Sequence, residues 1–509
     1  MNMTYSKYLS KSRFLEGIQC EKRVHLSINH RDLATPPDAA QQAIFDQGTR
    51  LGELAQLRWA DGHLVRAKYF EHDEAVAETQ RLITDPSVEV IFEAGFTEHG
   101  VRIRADVMVR VEDGTSWDLI EVKGSTGPKP VHDADIAIQT LVMAAAGIRL
   151  RKKILMVVDT SYVFDGDSID VHKLFKLLDR TAEADSAQID TESTLTQMHD
   201  VVSGVIPAVE PSPHCRKPYL CPFWEHCTSD VPDHWIMQLP RLSVKAFKEL
   251  RDQDVEDIHD IPEGIALTPP QELIHSSVVS DRPWISSGLK ESLLSTEDTI
   301  YFLDFETFNP AVPIYKGTRP YGRVPFQWSC HVEREGELLH HTDFLAEGLE
   351  DPRREFAVSL IAQLSDSGPV VVYSGFESGV LRDLEILYPE LGDELRAITA
   401  RIWDLLDVIR KNYYHPDFHG SYSIKSVVSA LVPELAYKDL DVQSGDGAAA
   451  AYQRLATNSG LDLSERQRVK SELKDYCARD TLSMVKILEY LRTSAERFQS
   501  ESKGRTWTI

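Results

Sequence analysis

The sequence predicts a multi-domain α/β protein, and three observations carry that expectation. Short apolar runs rich in β-branched and aromatic residues alternate with helix-like stretches in two separate parts of the chain. With 509 residues, 42% hydrophobic and 27% charged, there is material for two to four separate cores. Between them, a polar segment punctuated by prolines marks a boundary.

From residue 1 to about 230, Ser12-Arg-Phe-Leu-Glu-Gly17 gives a helical start signal ahead of Cys20. Glu89–Phe96, Val101–Arg110 and Trp117–Lys123 read as consecutive strands, the last two joined by a turn at Glu112-Asp113-Gly114. Ala134–Ala146 reads as a helix and Ile154–Asp159 as a further buried strand. The acidic stretch Glu183–Asp200 reads as a loop region. Residues 231–297 read as a small helical connector, with an amphipathic helix over Leu242–Arg251. A helix-hairpin-helix DNA clamp there lacks its Gly-rich hairpin. In residues 298–509, strands are expected at Thr299–Phe305, Phe326–Glu333 and Pro369–Ser374. Helices are expected at Glu377–Leu387, Asp404–Asn412, Ile424–Leu431 and Tyr476–Arg492.

The formal net charge of −25 argues against a protein that holds nucleic acid by bulk electrostatics. It leaves room for a local basic channel, or for cations bridging carboxylates to phosphates. No apolar run is long enough to span a bilayer, and the N-terminus has no hydrophobic signal core. A cytoplasmic location without membrane partners is the expectation.

Two short segments look like halves of one metal site. Tyr301-Phe-Leu-Asp304-Phe-Glu306-Thr307 reads as a buried strand that carries both carboxylates on the same side. Tyr476-Cys-Ala-Arg-Asp480 puts Tyr476 and Asp480 on one face of a helix. Hard oxygen ligands of this kind suit Mg²⁺ or Mn²⁺. Asp304, Glu306 and Asp480 are the candidate ligands, with Tyr476 as the group that orients or deprotonates a water. Glu377 is the candidate fourth carboxylate and Asp404 the alternative; a helix-start acid complementing the macrodipole is the plainer account of Glu377. This pattern resembles the DnaQ-like, RNase H-fold exonucleases, in the subgroup that uses tyrosine in the last motif. The resemblance implies 3′-to-5′ exonucleolysis with two metal ions. It departs at Glu377, where the family usually has Asp.

A second pattern, Asp106-x14-Glu121-x-Lys123, falls on two adjacent predicted strands, with Gln139 on the following helix. Two acids there would hold Mg²⁺, and the lysine would stabilise developing negative charge. Together these residues resemble the PD-(D/E)xK nucleases of the RecB type, a restriction-endonuclease-like α/β fold. The family's early-helix His is missing: Gly48-Thr-Arg-Leu-Gly52-Glu53 offers only Glu53. Met143 stands where a Tyr is usual.

Of six cysteines, Cys330 and Cys477 read as small buried hydrophobes. Cys20 with Cys215-x5-Cys221-x5-Cys227 resembles the iron–sulfur RecB-like exonucleases, which implies a 4Fe–4S cluster on Cys20, Cys215, Cys221 and Cys227. Zn²⁺ is the alternative by ligand type, with His214 and His226 beside the cysteines. Arg319-Pro-Tyr-Gly-Arg-Val-Pro-Phe-Gln327-Trp-Ser-Cys-His331 and His419-Gly-Ser-Tyr-Ser-Ile-Lys425 resemble signatures of one bacterial domain-of-unknown-function family, number 2779. Its members pair a DnaQ-like half with a RecB-like half. On that resemblance Lys425 and His331 are candidate phosphate contacts. A surface ammonium and a satisfied strand histidine are the plainer alternatives. Basic clusters at Arg149–Lys153 and around Cys20 (Lys7, Lys11, Arg13, Lys22, Arg23) offer further nucleic-acid contacts, or ordinary surface charge.

The expectation is a metal-dependent nuclease acting on DNA or RNA that is single-stranded or has free ends. The alternatives are a nucleic-acid-binding effector or repair module with a decayed site, and a phosphoesterase acting on nucleotides. Repair, defence and RNA turnover stay open as pathways. The domains expected are 1–230, 231–297 and 298–509.

Overall fold

The alternation that marks the predicted strands becomes two separate sheets in the computed structural model, which describes residues 7–68, 70–295, 299–348, 350–457 and 460–504. The chain divides into two units. One is Met1–Asp230 with Pro310–Gly322; the other is Val231–Asn309 with Arg323–Ile509. The predicted connector therefore belongs to the second unit, and a short piece of the later sequence belongs to the first.

In the first unit, β1 (Leu9–Ser10), β2 (His63–Leu64), β3 (Val90–Glu98), β4 (Val101–Arg110), β5 (Ser116–Lys123), β6 (Arg149–Val158) and β7 (Phe175–Asp179) form one sheet. Its order is β2-β3-β4-β5-β6-β7, with β1 parallel to β4. β3, β4 and β5 are antiparallel neighbours. β5 and β6 are parallel, with the Pro130–Ala145 helix between them in sequence, as a parallel connection requires. The β4–β5 turn is set by Asp113, whose carboxylate accepts from Thr115 N (2.8 Å) and Ser116 N (2.7 Å), and by Gly114 at φ +72°.

One core joins Trp117, Leu119 and Leu155 to Phe14, Val142, Leu195 and Met198 from the covering helices. A second joins Val107, Ile120 and Met156 to Leu51, Leu54 and Ala55 of the Ala39–Gln56 helix, and to Ala311. The acidic stretch expected as a loop is instead two helices, Thr181–Gln188 and Thr191–Ser203. Leu195, Met198 and Val202 recur at helical spacing and are buried, so the acids occupy the outer face.

In the second unit, β8 (Trp284–Ile285) pairs with β14 (Tyr413–Tyr414). The main sheet holds β9 (Thr299–Phe308), β10 (Val324–Arg334), β11 (Glu337–Leu345), β12 (Val370–Val372) and β13 (Ile402–Asp404) in the order β11-β10-β9-β12-β13. β10 runs antiparallel to β9 and β11, whereas β12 is parallel to β9 and β13. On one face, Tyr301, Leu303 and Phe305 of β9 join a core with Phe356, Leu360, Leu381 and Leu395. With a period of two, Asp304 and Glu306 face the other way. There the long Leu463–Gly504 helix packs on β9 and β10.

The connector holds the helices Val244–Arg251 and Pro269–Ser280. The first is capped by Ser243, the second by a Thr268–Gln271 capping box. Among the described residues no helix is long and apolar enough to cross a membrane.

Candidate metal centres

In the second unit the two remote acidic segments meet. Asp304 and Glu306 come from β9, Glu377 from the first turn of the Phe376–Leu387 helix after β12, and Tyr476, Cys477 and Asp480 from the long helix. A register shift between Pro325 and Gln327 sits opposite Glu306 and Thr307, at the end of β9. Ligand atoms of Asp304, Glu306 and Cys477 all lie within 4.8 Å of one another. Cys477, expected as a core filler, instead places its thiol 3.3 Å from Asp304 Oδ2, whereas Cys330 is fully buried in the apolar core.

The electrostatics follow from crowding. Burial, then repulsion from Asp480, Glu306 and Glu377, pushes Asp304 well above the carboxylate range. Glu306 rises for the same reasons, burial first, then Asp480 and Glu377. Burial pushes Glu377 up to about 8 and Asp480 up to about 6. Glu377 Oε2 is buried with no hydrogen-bond partner. Among the described residues, the cation felt by Glu306 and Asp480 is Lys425, whose ammonium lies 5.8 Å from the Tyr476 ring centroid and 5.6 Å from that of Tyr437. Hard acidic ligands, a charge deficit and an orphaned carboxylate oxygen fit divalent cations of the Mg²⁺ or Mn²⁺ kind.

Tyr437 was not anticipated. Its hydroxyl donates to Asp480 in a short hydrogen bond, and Tyr476, one turn before Asp480, bonds to the same carboxylate. Burial first, then the surrounding acids, raises Tyr476 far above its usual value, so its hydroxyl acts as a donor. Asp404, the alternative fourth ligand, caps the Leu405–Asn412 helix, its Oδ1 accepting from Asp407 N at 3.2 Å. His331 is not brought to this group of acids. It is buried on β10, with Nδ1 2.8 Å from Thr481 Oγ1 and its ring 4.4 Å from that of His341. Burial lowers it to about 4, which keeps it neutral and unsuited to contact a phosphate as a cation.

In the first unit Asp106 and Glu121 lie just past the last β4–β5 pair, Val107 with Ile120, where the two strands part. Asp106 Oδ2 accepts from Val122 N at 2.8 Å. Gln139 donates to Glu121 (2.8 Å) and to Asp135 (3.1 Å), and Lys123 bridges the same two acids at 2.7 Å each. Sequence reasoning missed Lys11 as a member of this group. Its ammonium contacts both Glu121 oxygens at 2.9 and 3.0 Å and stands 3.6 Å from Asp106. Burial opposes ionisation of Glu121, yet Lys11 and Lys123 hold it below the usual carboxylate range. Burial, then Glu121, pushes Asp106 up to about 7. A cavity of about 470 Å³ opens onto these residues, lined also by Glu53, Glu93 and Gly52.

Cys20, Cys215, Cys221 and Cys227 line one small cavity of about 20 Å³, together with Lys22, Arg23 and Phe223. Cys20 caps the end of the Lys11–Gln19 helix, and His214 Nε2 lies 3.5 Å from Cys215 Sγ. Burial raises the thiols of Cys215, Cys221 and Cys227; that of Cys221 rises to about 11. Lys22 and Arg23 pull the other way, favouring the thiolates, but burial is the larger effect. Four thiols grouped in this way suit a soft metal or an iron–sulfur group by ligand type.

The basic run at Arg149–Lys153 is largely neutralised. Arg151 pairs with Asp118, Lys152 with Asp179 and Lys153 with Asp185. Around Cys20, Arg13 and Arg23 both pair with Glu16.

Comparison with known proteins adds two findings. The chain is 25% identical to an uncharacterized protein of Mycoplasma genitalium, over 38% of this chain. It spans about a third (32%) of that curated relative's length. Residues 301–423, which carry Asp304, Glu306, Glu377 and Asp404, match the family described as a domain of unknown function, DUF2779.

Proposed function

We propose that the second unit is a metal-dependent nuclease that hydrolyses phosphodiester bonds of DNA or RNA from a free end. The observation that carries this reading is the convergence of Asp304, Glu306, Glu377 and Asp480 from separate elements into one buried, cation-poor cluster. The strand order, third-second-first-fourth-fifth along the chain with only the second antiparallel, supports a DnaQ-like, RNase H-type assignment. Bound divalent cations would supply charge neutralisation and an activated water. The chain's own part is positional. Tyr437 and Tyr476 fix the Asp480 carboxylate, and Lys425 lies beside the acids where a phosphate would approach.

The first unit fits a RecB-like PD-(D/E)xK half with a 4Fe–4S or Zn²⁺ group on its four cysteines. The helix–three strands–helix–strand order from His72 to Val158 and the Asp106, Glu121, Lys123, Gln139 group support it. A second reading, a binding module with a weak or decayed site, is favoured by one observation. Lys11 and Lys123 already occupy the charge between Glu121, Asp106 and Asp135, where a divalent cation would sit.

The test is a panel of end-labelled single- and double-stranded DNA and RNA with Mn²⁺, using wild type, Asp304→Ala and Glu121→Ala. Loss of 3′ trimming in Asp304→Ala alone supports the second-unit assignment. Degradation unchanged in both variants would sink the two-site reading. Visible absorbance of anaerobically purified protein, lost in Cys221→Ser, separates iron–sulfur from zinc.

A further inference from the structure

A groove of about 1160 Å³ opens in the second unit, larger than a typical small-molecule pocket of ~300–1,000 Å³. One wall is the connector, with Arg241, Pro269 and Gln271. The other carries Tyr373, Arg410 and Tyr422. Along the chain this second wall adjoins the acid cluster at two places. Tyr373 stands four residues before Glu377, and Ile424, at the groove, precedes Lys425.

The groove is a built surface. Gly420, at φ +74°, presses so closely on the connector that an added Cβ would stand 1.8 Å from Gln238 O. Gly420 N also donates to Tyr414 OH at 3.1 Å, and Tyr373 OH donates to the Tyr422 backbone carbonyl at 2.9 Å, which holds the side chains of Tyr414 and Tyr373. The Arg410 guanidinium lies 6.0 Å from the Tyr422 ring centroid. Arg241 and Arg410 are exposed, and among the described residues neither has a carboxylate within 4.0 Å. In a chain with 80 acidic and 55 basic residues, two arginines without acidic partners in one groove form a local positive track. Arginines for phosphates and aromatic faces for bases are what sequence-tolerant single-strand recognition needs.

We propose that this groove holds the single-stranded nucleic-acid segment that leads to the acid cluster. Arg241 and Arg410 contact its phosphates, and Tyr422 or Tyr373 stacks a base. The connector is then part of the binding site. This rests on the nuclease reading of the acids and goes beyond it by assigning the substrate track.

The experiment uses full-length protein. Wild type, Arg241→Ala/Arg410→Ala and Tyr422→Ala, each checked for an unchanged melting temperature, are titrated with a 5′-fluorescein 12-mer in Ca²⁺ by anisotropy. Hydrolysis of the 12-mer and of thymidine 5′-(p-nitrophenyl phosphate) is then compared in Mn²⁺. The double variant is expected to bind the 12-mer at least tenfold more weakly. Its log K against log salt slope should be shallower by about 1.4, the value for two lost single-strand phosphate contacts. Its KM for the 12-mer should rise at least tenfold more than its KM for the nitrophenyl ester. Arg241→Ala/Arg410→Lys should recover part of the salt slope lost in the double alanine variant. Unchanged 12-mer affinity and salt slope would overturn the proposal, as would equal KM rises on both substrates. If wild type hydrolyses neither substrate, the nuclease reading fails, and the anisotropy titration alone still decides whether the groove binds nucleic acid.

Discussion

Glu377 and Lys11 meet the same difficulty, a buried charge, with opposite means. Glu377 has an orphaned oxygen and acidic neighbours, and its carboxyl titrates near 8 rather than 4.5. The folded protein therefore holds a proton between those values that the unfolded chain has released. Metal-free stability must fall as pH rises through that window. In EDTA, the melting temperature is expected to drop from pH 5 to pH 8, and Mn²⁺ should raise it most at pH 8. Glu377→Gln should flatten the decline while lowering 3′ trimming at least a hundredfold. A melting temperature indifferent to both pH and Mn²⁺ would show that the acids do not share one buried site. At Glu121 the charge is met by lysines instead. Lys11→Met should cost roughly 3 kcal/mol by leaving a buried carboxylate under-compensated, with Mg²⁺ recovering part of the loss in denaturant titrations. The Asp-x-Glu and Tyr-x-x-x-Asp spacings were legible because they lie within single elements. Lys11, Tyr437 and Cys477 were not, because only long-range packing brings them to the acids.

Among elements, those with clean periodicity were readable. β4, β5, β9 and β10 fall where alternation and β-branched content put them, to within a few residues. β11 was missed because it is an edge strand whose first half is exposed, so no apolar alternation marks it. The Arg353–Gln363 helix was missed because its buried side combines Arg353 with Phe356, Ala357 and Leu360, while Val358 is exposed. Backbone at turns was partly readable, and two glycines separate the effects. Gly114→Ala, at φ +72° with open space around it, should cost only the left-handed penalty of about 1–2 kcal/mol. Gly420→Ala meets the same penalty plus a clash with the Gln238 carbonyl, so it should cost several-fold more. Urea midpoints of the two variants provide the comparison, and equal losses would contradict the close approach at Gly420.

For the whole molecule, composition bounded what the chain could be but not how it is threaded. The change near residue 230 was visible as a shift to polar, proline-marked sequence. The assignment of Pro310–Gly322 to the first unit was not, since that segment has no periodicity to read. Its anchorage is specific: Ala311 is fully buried in the Ile120–Met156 core, Phe164 N donates to Thr318 O at 3.0 Å, and the Tyr321 hydroxyl donates to the Gly124 carbonyl.

A fragment comprising residues 1–230 would thus lack a piece of its own interior. It is expected to melt lower than the intact chain and to bind 1-anilinonaphthalene-8-sulfonate, with a synthetic 310–322 peptide reversing both. No response to the peptide would mean that the segment is dispensable. Because the polypeptide passes between the units three times, after residues 230, 309 and 322, no single cut yields two whole halves. Neither could be exchanged as a cassette by recombination at one junction, so the two units would be inherited together or not at all.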